Sequence, residues 1–182
     1  MASFEEDLEK AVAYHGHLCA GQIIGVRMAR LGLKLMNIAD PSAERDLIVY
    51  VEADRCVADA VGTITTCKMG RRRLKWMDYG KSAATFLNIA TDKAVRIAAG
   101  KKFAPEGADI KEFFASIPDE VFFKVEWVKV NYKPEDLPGK PLVKAICEGC
   151  DESVMDGRHV VKDGKTLCKS CAEGGYYRVI GS

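Results

Sequence analysis

Residues 15–21 read His15-Gly16-His17-Leu18-Cys19-Ala20-Gly21, so two of the three histidines and the first of seven cysteines sit together. Imidazole and thiolate are the side chains best suited to a borderline-soft metal such as zinc. A thiol this close to an imidazole could equally form a nucleophile–base pair. Further partners have to come from elsewhere in the chain, and Cys56 and Cys67, with Asp54 and Asp59 nearby, are the candidates. His17 and Cys19, joined by either or both of those cysteines, would make a mixed nitrogen–sulfur site with a position left for water or another ligand. Buried cysteines that only fill a core remain the competing reading, because cysteine is among the most buried residue types. Asp59 fits the role of a hydrogen-bond acceptor that orients an imidazole better than that of a ligand.

A second group is more specific. Cys147-Glu148-Gly149-Cys150 and Cys168-Lys169-Ser170-Cys171 are separated by seventeen residues, a spacing typical of structural zinc. Two residues between paired cysteines let a tight knuckle aim both sulfurs at one ion, and a second pair completes a tetrahedral set. Four thiolates leave no open position, so this site is structural. His159 lies between the pairs and is a spectator once four sulfurs are present. Between residues 147 and 182, five basic residues face six acidic ones. That balance argues against phosphate binding by this segment and favours docking to protein.

A chain of 182 residues with 48% hydrophobic and 29% charged residues can bury one sizeable core and carry a small appendage. A net charge of +1 removes any strong electrostatic case for nucleic acid or anionic membrane. No apolar run is long enough to span a bilayer. The start, Met1-Ala2-Ser3-Phe4-Glu5-Glu6-Asp7, lacks the apolar stretch of a signal peptide. A cytoplasmic location is therefore expected, where paired cysteines serve as metal ligands more often than as disulfides.

The elements that must position these groups follow from pattern. Ser3 and Glu6 have capping-box spacing, and apolar residues then predict a helix over 4–13. A second helix is expected over 20–37, a core strand over 47–51, and a helix over 57–65. Lys68, Arg71, Arg72, Arg73 and Lys75 put five cations in eight positions. This is read as a solvated loop or, more pointedly, as anion contacts from Arg71, Arg72 and Lys81 at the mouth of the core site. Residues 83–89 and 94–98 read as a hairpin turned at Thr91-Asp92-Lys93. A short helix is expected over 109–117, ending before Pro118, and a strand over 121–130. Strands and helices do not alternate regularly, which points to an α+β core. A linker is read at 134–145. The remaining 146–182 holds a knuckle, a hairpin turned at Asp163-Gly164 and a short helix, the treble-clef arrangement.

Taken in order, His15–Gly21, Asp54-Arg55-Cys56-Val57-Ala58-Asp59-Ala60, Thr66-Cys67-Lys68-Met69-Gly70-Arg71 and Asp78-Tyr79-Gly80-Lys81 resemble the FmdE-like proteins, the family named after formylmethanofuran dehydrogenase. The likeness covers about residues 10–132. Ala20 departs from it, since proline often follows the cysteine in the family. The resemblance implies an FmdE-like core over 1–133, with a mainly antiparallel sheet packed by helices. It also implies an intertwined homodimer and an appended treble-clef zinc finger. For the core metal site it implies His17, Cys56 and Cys19, with His15, Asp59 and Cys67 as neighbours or alternative ligands. Zinc is the expected ion there as well as in the finger.

The reaction in the family's name needs a molybdenum or tungsten pterin and iron–sulfur carriers. This chain has no dense cysteine runs of an electron relay. The resemblance therefore implies a zinc-binding, dimeric accessory or regulatory protein, associated with a larger oxidoreductase or one-carbon complex. It is not expected to catalyse the dehydrogenase reaction alone, and no residue is assigned as catalytic. The alternatives are a small metalloenzyme built on the core His/Cys site, and a metal- or redox-sensing regulator that binds nucleic acid.

Overall fold

The computed structural model describes residues 2–101 and 103–180. It divides into two compact units, Met1–Asn131 and Tyr132–Ser182. Among the described residues no helix is long and apolar enough to cross a membrane.

In the first unit, helix α1 (Phe4–His15) begins at a complete capping box. Glu6 N–H donates to Ser3 Oγ at 3.2 Å, and Ser3 N–H donates to Glu6 Oε2 at 2.8 Å. The helix ends at Gly16, whose φ of 98° closes a left-handed cap that a side chain would strain. Helix α2 (Ala20–Leu35) starts from Cys19 as its N-cap and stops short of the expected residue 37, because Asn37 turns left-handed at φ 56°. Helix α3 (Cys56–Thr65) lies against both. A Cβ at Gly21 would stand 2.8 Å from that of Cys56, and one at Gly25 would stand 2.6 Å from that of Ala60. The absence of both side chains is what allows α2 and α3 to approach so closely.

The sheet has the order β2-β1-β3-β4-β5, from β1 (Leu47–Val51), β2 (Leu74–Trp76), β3 (Ala83–Asn88), β4 (Lys93–Ala99) and β5 (Phe123–Val128). Every pairing is antiparallel except β1 with β2. The expected hairpin is β3–β4, with Phe86 opposite Val95 and Asp92 at φ 55° in its turn. Val49, Phe86 and Val95 form one cross-strand row in the hydrophobic core, where α2 packs on β3 and β4. Next along the sheet, the same face carries Val51, Ala84 and Ile97. The opposite face carries Ile48 and Leu87, also fully buried. It also holds a two-pronged ion pair in which Arg96 Nε and Nη2 donate to Glu52 Oε1 and Oε2 at 2.7 and 2.8 Å.

Two expectations need correction. Residues 74–76 form the parallel strand β2 instead of belonging to a basic loop; Leu74 pairs with Val49 and Trp76 with Val51. The strand expected over 121–130 begins only at Phe123, because Asp119–Phe122 close a helical turn, α5, in which Val121 and Phe122 donate to Pro118 O. Helix α4 (Ile110–Ala115) precedes it, with Asp109 as a capping acceptor for Glu112 N–H. Arg27 on α2 holds this corner by donating to the Phe114 and Ile117 carbonyls and to Asp119. The ring of Phe122 meets that of Phe114 edge-on at 5.6 Å. Burying both rings is the reason an apolar stretch turns helical before it extends.

The second unit opens with a short 3₁₀ turn at Pro134–Asp136. Two small hairpins follow, β6 (Lys144–Ile146) with β7 (Ser153–Met155), and β8 (Val160–Lys162) with β9 (Lys165–Leu167). Asp163 and Gly164 have φ of 51° and 75°, the double left-handed turn that suits the twist of a two-residue hairpin. Helix α6 (Lys169–Glu173) completes the unit.

Candidate metal centres

Among the described residues, two groups of three or more metal-ligating side chains have their ligand atoms within 4.8 Å of one another. One is Cys147, Cys150, Cys168 and Cys171; the other is His15, Cys19 and Cys56.

In the first, the Cys147 sulfur accepts N–H groups from Cys168 at 3.1 Å and Gly149 at 3.4 Å, and the Cys168 sulfur accepts one from Cys171 at 3.3 Å. Such bonds stabilise thiolates. The Cys168 N–H, with those of Gly149 and Cys150, holds the Cys147 thiol down at about 6. Cys171 is pushed up to about 12, first by Cys168 and then by Cys150 and Cys147, which compete for the same small volume. Crowded sulfurs that resist ionising together are what a divalent cation relieves. A zinc–sulfur distance of about 2.3 Å gives tetrahedron edges of about 3.8 Å, and the Cys150 and Cys168 sulfurs are 4.0 Å apart. The set fits one structural zinc.

The core group is assembled from three helix ends. His15 is the last residue of α1, Cys19 is the N-cap of α2, and Cys56 is the first residue of α3. Both sulfurs therefore lie at the positive ends of helix dipoles, which favour thiolate over thiol. Against this, burial, then the hydrogen bond and charge of Cys19, push the Cys56 thiol up. The imidazole is oriented from α3, one turn along from Cys56: His15 Nδ1 lies 2.8 Å from Asp59 Oδ2. An ionised carboxylate only accepts, so Nδ1 carries the proton and Nε2 presents its lone pair. That Nε2 is buried and has no hydrogen-bond partner. A carboxylate–histidine pair with a free nitrogen beside two thiols is the donor set of a zinc or similar ion with three protein ligands. Gln22, which the sequence does not single out, is fully buried, and its Nε2 donates to the Cys56 carbonyl at 2.7 Å. It lies one helical turn after Cys19, and that i, i+3 spacing is the only signal the sequence carries for it.

The remaining candidates are placed as follows. His17 is exposed, its ring centroid 4.7 Å from that of His15, so His15 joins the two sulfurs and His17 stands beside it. Cys67 lies beyond the other end of α3 from Cys56, about 15 Å away at 1.5 Å per residue. It is buried there, and its thiol donates to the Leu47 carbonyl at 3.7 Å. Arg71 and Arg72 precede β2, which runs parallel to β1. They therefore sit at the Leu47 end of the sheet, whereas Cys56 follows the Val51 end, and the structure does not bring them to the core site. Arg73 is buried, its Nε donating to the Leu47 carbonyl at 3.0 Å. Lys81 is at the Cys56 end, where its N–H donates to the Glu52 carbonyl, but its ammonium lies over the Tyr79 ring at 5.7 Å. His159 stays outside the four-sulfur group.

Comparison with known proteins agrees with this division. Residues 14–126 match the family described as FmdE, molybdenum formylmethanofuran dehydrogenase operon. Residues 144–177 match the prokaryotic dksA/traR C4-type zinc finger. A probable S-adenosyl-L-methionine-binding protein of Archaeoglobus fulgidus is 30% identical over 208 aligned residues. The alignment takes in 96% of this chain and 54% of the relative, so the chain spans about half of that protein's length. The crystal structure of an FmdE-like protein of tungsten formylmethanofuran dehydrogenase from Syntrophus aciditrophicus is similar, with a TM-score of 0.61 and 25% identity. That match covers 97% of this chain and 96% of the other.

Proposed function

The chain belongs to the FmdE family and carries a C4-type zinc finger, and on that basis we propose that it is a zinc-binding, homodimeric accessory or regulatory protein whose core holds a second metal ion. It serves a larger oxidoreductase or one-carbon system and does not run the dehydrogenase reaction by itself. The observation that carries the core metal is the His15 imidazole, fixed by Asp59 and left with a buried, unpartnered Nε2 next to the Cys19 and Cys56 sulfurs. An unsatisfied buried nitrogen costs about 1–3 kcal/mol, and a bound cation removes that cost while neutralising the thiolates. Zinc suits two sulfurs and one nitrogen.

Elemental analysis of the full chain tests this reading. Two equivalents of metal are expected, falling to one in Cys56→Ser and to one in Cys150→Ser. A single equivalent that Cys56→Ser leaves in place would refute the core centre. Co-purification with a larger oxidoreductase tests the accessory role.

One feature favours a second reading, that of a small metalloenzyme. Three protein ligands leave a fourth position on a tetrahedral ion, as catalytic zinc sites do. The core group supplies three, whereas the finger supplies four. A substrate or water would take the fourth position, and saturable inhibition of any turnover by a small thiol would identify this role.

A further inference from the structure

Strand β5 is the outer edge of the five-stranded sheet. Trp127 and Val125 continue the rows Val49–Phe86–Val95 and Val51–Ala84–Ile97, yet they are 61% and 39% exposed. The face that is core in the middle of the sheet thus becomes solvent-facing at its edge. An exposed, apolar edge strand is a template for pairing with another chain.

The backbone says which residues would pair. Gly100 N–H donates to the Phe122 carbonyl at 2.7 Å, which makes 100 and 122 a hydrogen-bonded pair of the β4–β5 ladder. Alternation along an antiparallel ladder then turns the N–H and C=O of Lys124, Glu126 and Val128 toward β4. Those of Phe123, Val125 and Trp127 point outward. Among the described residues none of the outward groups has a ladder partner.

We infer that β5 pairs antiparallel with β5 of a second copy, about a two-fold axis through Val125. This gives the dimer proposed above a specific interface, and it rests on that reading. With the axis at Val125, Phe123 and Trp127 of one chain exchange hydrogen bonds with the partner's Trp127 and Phe123. Lys124 then lies directly opposite the partner's Glu126, in a non-hydrogen-bonded pair where side chains come closest. Shifting the axis by one residue puts Lys124 opposite its own copy, or Glu126 opposite its own copy. Like charges in that position repel, so charge selects the Val125 register from the three. Lys124 already reaches Glu126 within its chain at 2.7 Å, and Arg96 approaches the same carboxylate at 3.4 Å. The partner's Glu126 would thus be met by cations that are already in place. The pairing would merge two sheets into one and abolish both free edges.

Sedimentation velocity on the full, metal-replete chain tests this, with circular dichroism and zinc content as controls for folding. Lys124→Glu is expected to weaken a wild-type dimer about tenfold or more, since both facing pairs become repulsive. Adding Glu126→Lys in the same chain should restore it. Lys124→Glu mixed with Glu126→Lys should form heterodimers more readily than either forms homodimers. Val125→Lys disturbs no ion pair within the chain and should also dissociate the dimer. A wild-type dimer that survives Lys124→Glu and Val125→Lys unchanged would overturn the β5 interface while leaving a dimer by another surface. A wild-type chain that stays monomeric at high concentration would overturn both the interface and the dimeric reading.

Discussion

His15 Nδ1 and Asp59 Oδ2 stand 2.8 Å apart, joining the end of the first helix to the first turn of the third. The contact fixes which imidazole nitrogen faces the two cysteine sulfurs. Asp59→Asn keeps the size of the side chain but removes the charge that favours a proton on Nδ1. Core metal affinity should fall about 10–100-fold, measured by competition with a chelator, while the finger's zinc is retained. Equal affinity in the variant would mean that Asp59 does not act on the metal.

Gly21 and Gly16 bracket the same site and should respond differently to alanine. At Gly21 the new Cβ meets the Cys56 Cβ at 2.8 Å, so α2 and α3 must separate at the point where Cys19 and Cys56 converge. Gly21→Ala should destabilise the chain by about 1–3 kcal/mol and weaken the core metal as well. At Gly16 nothing lies within 4 Å, and only the φ of 98° is strained, worth about 1–2 kcal/mol. Denaturant unfolding with and without metal separates the two. The Gly21→Ala loss should grow when metal is present, because the variant also forfeits binding energy.

The four-sulfur site should lose its ion in acid. Cys147 is held at about 6 against an ordinary 9, so the folded finger binds fewer protons than the unfolded chain between those values. Its contribution to stability is complete above pH 9, shrinks as pH falls, and is gone below about 6. Protons and zinc compete for the same sulfur, so zinc release should steepen as pH drops through 6. A colorimetric zinc indicator would follow it, and release independent of pH between 7 and 5 would contradict the assignment. Both tryptophans, Trp76 and Trp127, lie outside this unit. Tryptophan emission should therefore stay constant while amide protection over 144–173 disappears.

What could be read from sequence was what is encoded locally. Ser3 and Glu6 announce α1 by a hydrogen-bonded box spanning four residues, and Asp163-Gly164 announces a hairpin by two left-handed residues. The cysteine quartet announces zinc by spacing alone. The core site depends instead on partners far apart in the chain. His15 and His17 are two residues apart and chemically identical, and only Asp59, forty-four residues on, selects His15. The family resemblance favoured His17 as ligand and put His15 beside it, and the structure places the two the other way round. Arg71 and Arg72 are basic in any fold. Their distance from Cys56 follows from the parallel register of β2, a three-residue strand too short to carry a pattern. The late start of β5 likewise reflects where Phe122 finds its burial against Phe114.

The Glu52–Arg96 pair gives the sharpest stability prediction, because Glu52 is only 5% exposed and ends the strand that leads to Cys56. Hydrogen bonding to Glu52 raises the Arg96 value, and the two groups hold each other charged. Arg96→Ala strands a carboxylate at a site that excludes water, and about 3–5 kcal/mol should be lost. Glu52→Gln combined with Arg96→Met removes both charges and keeps the volume, so it should cost far less. The Glu52 carbonyl also accepts the Lys81 N–H, tying the loop after β2 to the approach of Cys56. The single variant should therefore loosen core metal binding in proportion to the lost stability, and the double variant should recover both. If Arg96→Ala were as stable as wild type by denaturant titration, the carboxylate would have to be protonated or hydrated. In that case its stability would depend on pH between 4 and 7, whereas a paired, ionised Glu52 makes the wild type insensitive across the same range.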